Sequence, residues 1–236
     1  MLAGVNIGGM ARSRTRTRYH HGDLRNALLR AAARLAEREG PAAVTIRSAA
    51  RAVGVTPTAA YRHFAGQQEL LSAVKDEAFT SLGQAMLHYL ERLPESGDPV
   101  LDAVRRAVAM GRGYVRFAVA EPGMFRTAFV RPASPPPEKA QRPGDPFGLL
   151  ARGLDELVKV GYLAPESRPM AEFAAWAAVH GLAVMLIDGE LADLPEEARA
   201  LAVHRTLLML VHGLADGEHA EPVRSSIGID TPLGVD

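Results

Sequence analysis

The chain has 236 residues, with 27 lysines and arginines, 27 aspartates and glutamates, and a formal net charge of zero. This length allows one large hydrophobic core or two modest ones. Because there is no cysteine, disulfides and thiolate metal sites are excluded. Residues 1–10 lack a cationic start and a long apolar run, so they match a signal peptide poorly. The longest apolar stretch, 173–187, falls short of the roughly 18 to 20 residues that span a bilayer, which predicts a soluble protein.

The positive charge is concentrated near the N-terminus. Residues 11–64 hold eleven arginines against three acidic residues, a net charge of +8, and the remaining residues balance it with −8. This asymmetry predicts a DNA-binding head on an acidic body. Residues 1–18 are predicted to be a flexible basic arm, in which Arg14, Arg16 and Arg18 contact phosphates or enter the minor groove. A solvated tail without DNA contacts is the alternative.

Two short helices are predicted after a longer first one. Helical apolar spacing predicts a helix over 23–39, and Gly40-Pro41 ends it. The segment 45–64, TIRSAARAVGVTPTAAYRHF, then reads as two helices joined by a turn at Gly54. A threonine followed by proline at 56–57 is a helix-start signal, so the second helix is predicted over 57–63. This arrangement indicates a helix–turn–helix, a device for placing a helix end in the DNA major groove.

The rest of the chain predicts a second, purely helical domain. A long helix is expected over 68–93, and aspartate–proline pairs at 98–99 and 145–146 begin two more. A short helix is expected over 124–129, a proline-rich loop over 131–144, and long helices over 169–187 and 194–214. No useful strand-like alternation is present. The prediction is an all-α fold of about nine helices, with a helix–turn–helix domain over 19–66, a helical ligand-binding and dimerisation domain over 67–217, and a disordered tail over 218–236.

The segment Tyr61-Arg62-His63-Phe64, a turn after Pro57, resembles the signature of the TetR/AcrR family of bacterial regulators. The resemblance covers residues 20–80 closely and the remainder in layout only. Two positions depart from the family pattern. Ser48 stands where an acidic residue is frequent, and Gln67 stands where a phosphate-contacting lysine is usual.

The resemblance implies roles for side chains at both helices of the motif. Arg47 would fork to a base, and residues 57–59 at the start of the second helix would face bases. Hydroxyl and imidazole side chains, with Gln67, would hold phosphates. The predicted contacts, in addition to the three arm arginines, are Thr45, Arg47, Thr56, Pro57, Thr58, Ala59, Tyr61, Arg62, His63 and Gln67.

The last two helices carry apolar side chains at three- and four-residue spacing. The single Trp176, followed four residues later by His180-Gly181, is similar to the pattern of one C-terminal subfamily. In that family the last two helices pair with their copies in a homodimer, although ordinary core packing produces the same spacing. The predicted interface residues are Phe173, Ala177, Val184, His204, Leu208 and Val211.

A ligand pocket is the final implication of the resemblance. It would take a small apolar or amphipathic effector, although aromatic residues at helical spacing are more often plain packing. The predicted lining is Tyr114, Phe117, Met124, Phe125, Phe129, Trp176 and His180. The eight histidines show no matched metal-ligand spacing, no cofactor is predicted, and no catalytic motif is found.

Together these features predict a cytoplasmic, nucleoid-associated transcriptional regulator without enzymatic activity. It would bind double-stranded DNA at a palindromic operator as a dimer, with a small molecule relieving repression. Repressor and activator are not distinguished by the sequence. Three alternatives remain: a DNA-binding architectural protein without sequence preference, a small helical enzyme, and a protein-interaction module that would need an exposed apolar groove.

Overall fold

The structure, a computed structural model, describes residues 21–130 and 144–215, with side chains from residue 24 onward. The predicted arm, most of the predicted proline-rich loop and the predicted tail lie outside the described residues. Within them all regular structure is helical, which confirms the all-α prediction. Two short 3₁₀ turns, Pro41–Ala43 and Pro165–Ser167, were not predicted. The helices are α1 His21–Glu39, α2 Ile46–Val53, α3 Pro57–Tyr61, α4 Gln67–Leu90, α5 Pro99–Ala120, α6 Pro122–Ala128, α7 Pro146–Lys159, α8 Ala171–Asp188 and α9 Glu196–Leu214.

Several helix ends differ from the predicted ones for local reasons. The helix α3 stops at Tyr61 because the next amides tighten into bonds three residues back, such as His63 N to Ala60 O at 3.0 Å. The helix α8 begins two residues later than predicted. Met170 directly before it adopts the left-handed conformation, with φ of 64°, so the helix cannot extend back through it.

The first three helices form a small head around α1. Leu28, Ala50, Ala60 and Phe64 are buried together in its core. The buried face of α2 consists of apolar residues at helical spacing. As predicted, Gly54 adopts the left-handed conformation, with φ of 77° and ψ of 30°, and ends α2. A side chain there would be strained, because L-residues rarely adopt that region.

The remaining helices form a body around α5, which packs against α4, α6, α7, α8 and α9. The aspartate–proline starts were correctly predicted: the Asp98 carboxylate accepts from the amides of Val100 and Leu101, and Asp145 accepts from Gly148. A smaller apolar cluster, including Leu154, closes the end of the body between α5, α7 and α8.

Head and body share one continuous apolar core, which runs from Leu28 in α1 to Leu207 in α9. Their backbones approach closely at Gly123 in α6, where a Cβ atom would lie 2.1 Å from the Ala36 carbonyl oxygen. The Lys75 ammonium of α4 also donates to the carbonyl oxygen of Val130, just after α6, at 2.7 Å. The helix α6 therefore ties the head to the body.

Among the described helices, α8 alone is long and apolar enough to cross a membrane by length and composition. The sequence-based estimate that this stretch is too short is therefore revised, because the helix has 18 residues. Such a helix is weak evidence for a membrane span. Its inner face packs on α5, and His180 near its middle is hydrogen-bonded to a tyrosine of that helix.

Candidate nucleic-acid interface and internal cavity

The helix α3 is held by one buried face and presents the other to solvent. Ala60 is fully buried, whereas Thr58 and Arg62 are exposed and the Tyr61 side chain is 52% exposed. The Thr56 hydroxyl accepts from the amide of Ala59 at 3.3 Å and caps the helix start. A short rigid helix with small polar and aromatic groups outward is the shape that enters a major groove.

Packing below α3 fixes its orientation. Phe64 is fully buried, and the guanidinium of Arg25 from α1 lies 4.4 Å from the centre of its ring. Glu69 in α4 accepts from the Ala65 amide at 2.7 Å and pairs with Arg25 at 3.4 Å. The segment that follows α3 is therefore anchored to α1 and α4, and the Arg25 guanidinium is paired within the protein.

At the start of α2, the structure separates two predicted roles. Arg47 is exposed on the same motif, as a base-contacting side chain needs to be. The Thr45 hydroxyl accepts from the Ser48 amide at 3.0 Å and donates its proton to the Ser48 hydroxyl at 2.8 Å. One hydroxyl proton of this pair is therefore not used by the cap and is available to an outside acceptor. Sequence reasoning noted Ser48 only as a departure from the family pattern, and serine is not the acidic or amide residue that completes a capping box.

The remaining predicted contact residues also lie at or near the surface of the head. Pro57 and Gln67 are exposed, and Ala59 and His63 are partly exposed. Arg14, Arg16 and Arg18 lie outside the described residues. The helix–turn–helix therefore brings its predicted side chains together around α3 and the start of α2.

The aromatic residues predicted to line a pocket divide into two groups. Phe125, Phe129 and His180 pack with Tyr114 in one cluster, and the rings of Phe129 and His180 lie 4.5 Å apart. Phe117 and Met124 are also buried in the core. Two of the predicted residues, Tyr114 and Trp176, line an apolar cavity among the described helices.

This cavity lies inside the body between α4, α5, α7, α8 and α9 and has a volume of about 60 Å³. Two of its wall residues are glycines that face flexible side chains: a Cβ on Gly111 would lie 2.5 Å from Leu207, and one on Gly153 would lie 2.3 Å from Met110. Sequence reasoning missed most of the lining, because aliphatic residues and glycines carry no chemical signal. The lining is Met86, Ala107, Val108, Met110, Gly111, Tyr114, Leu150, Gly153, Leu154, Ala175, Trp176, Val179, Leu207, Leu210, Val211 and Leu214.

One polar pair stands at the border between this cavity and the aromatic cluster. The Tyr114 hydroxyl and Nδ1 of His180 are 2.8 Å apart. Burial raises the pKa of Tyr114 above its ordinary value and lowers the pKa of His180. The tyrosine hydroxyl therefore keeps its proton and the imidazole is neutral, and one proton lies between the tyrosine oxygen and Nδ1. The pair presents no charge to the cavity.

The outer faces of α8 and α9 expose apolar side chains. Of the predicted interface residues, Phe173 is 51% exposed, Ala177, Val184 and His204 are exposed, and Leu208 is partly exposed. Val211 differs, because it is buried and lines the cavity, so it does not belong to this exposed face. The face includes further residues absent from the predicted set: Met185, Leu201 and Met209.

Both parts of the chain match families of bacterial regulators. Residues 28–74 match the family described as bacterial regulatory proteins, tetR family, and residues 107–206 match the tetracyclin repressor-like C-terminal domain. No curated protein sequence matches the chain.

Solved structures share the fold over most of the chain. A protein of unknown function from Rhodococcus sp. RHA1 is 26% identical, with a TM-score of 0.67 over 85% of this chain and 100% of that one. A TetR family transcription regulator from Marinobacter aquaeolei VT8 is 21% identical, with a TM-score of 0.60 over 82% and 96%. RolR, solved with resorcinol, is 17% identical, with a TM-score of 0.53 over 84% and 90%.

A helix–turn–helix head joined to an all-helical body defines a DNA-binding transcriptional regulator. The chain belongs to the TetR family, as both matched regions and the shared fold show.

Proposed function

We propose that this regulator is a repressor that binds a palindromic operator as a homodimer and is released by a small molecule. The observation that carries the DNA-binding part is the outward face of α3, with Tyr61 half exposed above a fully buried Ala60. The protein acts in the cytoplasm, on the nucleoid, and has no enzymatic activity.

The exposed side chains around α3 are assigned to base contacts or to phosphate contacts by their chemistry. Arg47 and residues 57–59 read bases, because an arginine can fork to guanine and small apolar groups fit the thymine methyl. Tyr61 and His63 hold phosphates. Thr45 and Ser48 join them, because one hydroxyl proton of this bonded pair is not used by the cap.

Dimerisation supplies the second half-site. A single α3 covers little DNA, whereas two-fold symmetry presents two such helices about 34 Å apart. The apolar outer face of α8 and α9 supports this assembly, because exposed side chains such as Phe173 and Met209 gain from burial.

The cavity in the body supports an uncharged, apolar effector. Its polar side-chain groups are confined to Tyr114 and Trp176, and it offers no cation to a carboxylate. The glycine walls facing Leu207 and Met110 allow these flexible side chains to move as a ligand enters. RolR, which has the same fold, was solved with resorcinol, an uncharged aromatic molecule. An effector relieves repression when it binds the DNA-incompetent state more tightly.

The test begins with selection of bound sequences from a random duplex pool. We expect a palindrome with half-sites one helical turn apart. Tyr61→Ala should then weaken binding to the selected and to random duplexes by similar factors, whereas Thr58→Ala should change the preferred bases. Gln84→Ala, at an exposed position of α4 in the body, is the control and should have no effect.

A pool without a palindrome, or with no sequence enrichment, would favour the architectural alternative. Equal losses on all DNA from both head variants would contradict the assignment of Thr58 to base reading.

A further inference from the structure

The body has a second concave surface, whose lining is charged and therefore differs from that of the apolar cavity. It is an open groove with a volume of about 560 Å³, within the range of small-molecule sites. Helices α4, α5, α8 and α9 contribute to it, and we call it the arginine groove. Its charged side chains are three arginines, Arg112, Arg116 and Arg199, with a single carboxylate, Glu196.

The three guanidinium groups converge from two helices. Arg112 and Arg116 are one turn apart on α5 and exposed, so they share a face of that helix. Arg199 comes from the first turns of α9 and is partly buried. Among residues 24–130 and 144–215, none of the three forms an ion pair, although Glu196 lines the same groove.

The environment of Arg199 adds an independent observation. Its Nε atom is buried and has no hydrogen-bond partner in the described part of the chain. A buried donor without an acceptor is costly, and such atoms in folded proteins are normally satisfied. A guanidinium presents its donors as a fork that matches the two oxygens of a carboxylate or phosphate. The Nε atom itself is closed to solvent, so the other nitrogens of the guanidinium would meet a ligand in the groove, and the three positive charges there make an anionic acceptor the favourable one.

From this convergence we propose that the arginine groove binds a small organic anion that carries two or more acidic groups, either carboxylates or phosphates. Arg112 and Arg116 hold one acidic group, and Arg199 holds another from the opposite wall. The apolar wall, including Val115 and Val203, packs against the carbon skeleton. This ligand differs from the uncharged effector of the internal cavity, so the regulator carries two chemically distinct small-molecule sites.

A second copy of this chain is the less suitable occupant of the groove. The outer face of α8 and α9 borders the groove at His204, which lines both, and otherwise offers exposed phenylalanine, valine and methionine side chains. Side chains of this kind cover apolar surface and cannot accept from three guanidinium groups. The arginines would then be buried without acceptors, which is unfavourable.

The experiment is calorimetric titration of the full chain with citrate and, separately, with inorganic pyrophosphate, at ionic strength held constant with sodium chloride. We expect saturable binding of at least one probe, and the better probe distinguishes carboxylate from phosphate recognition. The double variant R112Q/R116Q and the single variant R199Q should each weaken that binding by about tenfold or more, because a hydrogen bond to a charged group contributes on that scale.

The matched control is R152Q, which removes the same charge from an exposed position on α7 outside the groove, and its affinity should equal that of the unaltered chain. Thermal unfolding checks that the variants fold, and sedimentation reports the dimer. No saturable binding of either probe overturns the proposal, as does an equal loss in R152Q. Groove variants that dissociate the dimer without changing anion affinity overturn it in favour of a subunit contact.

Discussion

Gly123 in α6 lies against the C-terminal end of α1, where the two backbones are in direct contact. A Cβ atom at this position would lie 2.1 Å from the carbonyl oxygen of Ala36 and 2.3 Å from that of Glu37. These neighbours are backbone atoms, so they cannot move aside as the end of a side chain can. The residue is therefore glycine for reasons of space, since its φ is not in the left-handed region.

We predict that Gly123→Ala lowers the free energy of unfolding by about 1–3 kcal/mol, the usual cost of forced overpacking. Chemical denaturation measures the change. Gly213→Ala in α9 is the control, because a Cβ there meets nothing within 4 Å, and helix propensity favours alanine. Equal stability of the two variants would show that α6 and α1 are not in such close contact.

The hydrogen bond between Tyr114 and His180 has a consequence for pH dependence. Burial lowers the pKa of His180 below its ordinary value of 6.5, so the folded protein holds this imidazole neutral. As the pH falls through 6.5 toward the folded-state pKa, the unfolded chain binds the proton first. The free energy of unfolding therefore decreases in that window and is highest above it.

We predict that stability falls between about pH 7 and pH 5, and that His180→Gln shows a shallower fall over the same range. Glutamine does not titrate there, so the difference between the two profiles isolates His180 from the other histidines. Denaturant midpoints at each pH provide the measurement, with His88→Gln, an exposed position of α4, as the control. Parallel profiles for all three proteins would mean that His180 is not held neutral by the fold.

At the scale of the helices, α8 has two faces with different partners. Its inner face, with Val179 and Leu182, is buried on the body, whereas Phe173 and Val184 are exposed. The outer face therefore leaves apolar area in water that a second α8 and α9 could cover. Small residues such as Ala177 and Gly181 allow another helix to approach closely, and the ideal Cβ on Gly181 meets nothing within the protomer.

We predict that Ala177→Glu dissociates the dimer and leaves the protomer folded, because the side chain is exposed and the added charge would be buried only between subunits. Sedimentation velocity measures the mass, and helical circular dichroism checks the fold. Ala120→Glu, also at an exposed alanine, should remain dimeric. A fully dimeric Ala177→Glu protein would exclude this part of α8 from the interface.

At the scale of the whole molecule, the continuous core and the contacts of α6 connect the head to the body. The position of α3 therefore depends on the arrangement of the body helices. The cavity lies among five body helices, including α4, which also packs on the head. A ligand that enlarges this cavity displaces the helices around it. One of them, α4, also contacts the head and can transmit the displacement directly. Coupling by this route requires two arrangements of the packed helices, each stabilised by one of the two ligands.

We predict that 1-octanol raises the melting temperature and weakens operator binding, whereas octanoate at the same concentration does neither. The two molecules have the same chain length, but octanoate carries a carboxylate. The apolar lining cannot accommodate that charge. Ala175→Leu, which adds carbon atoms to the cavity wall, should bind the operator normally and lose the response to octanol. Equal effects of both compounds would contradict an uncharged-effector site.

Much of the fold was accessible from local signals. Thr56-Pro57 and Asp98-Pro99 start helices because a capping oxygen and a preset φ act within a few residues, and Gly54 ends one for a similarly local reason. The side chains that α3 exposes were predicted from the helix–turn–helix arrangement and the family resemblance, whereas helical periodicity predicted the buried face of α2. Local signals could not predict the start of α8, which depends on the left-handed backbone at Met170.

The sequence alone determined the all-helical architecture, the position of the helix–turn–helix and the side chains that it exposes, because caps, turns and periodicity act between near neighbours. Only the tertiary structure decided which aromatic residues pack together and which border a cavity, that Val211 is buried, and that Arg112, Arg116 and Arg199 meet in one groove. Those features depend on how distant helices approach one another, and a helix presents the same sequence pattern whether its apolar face meets a core, a cavity or a second subunit.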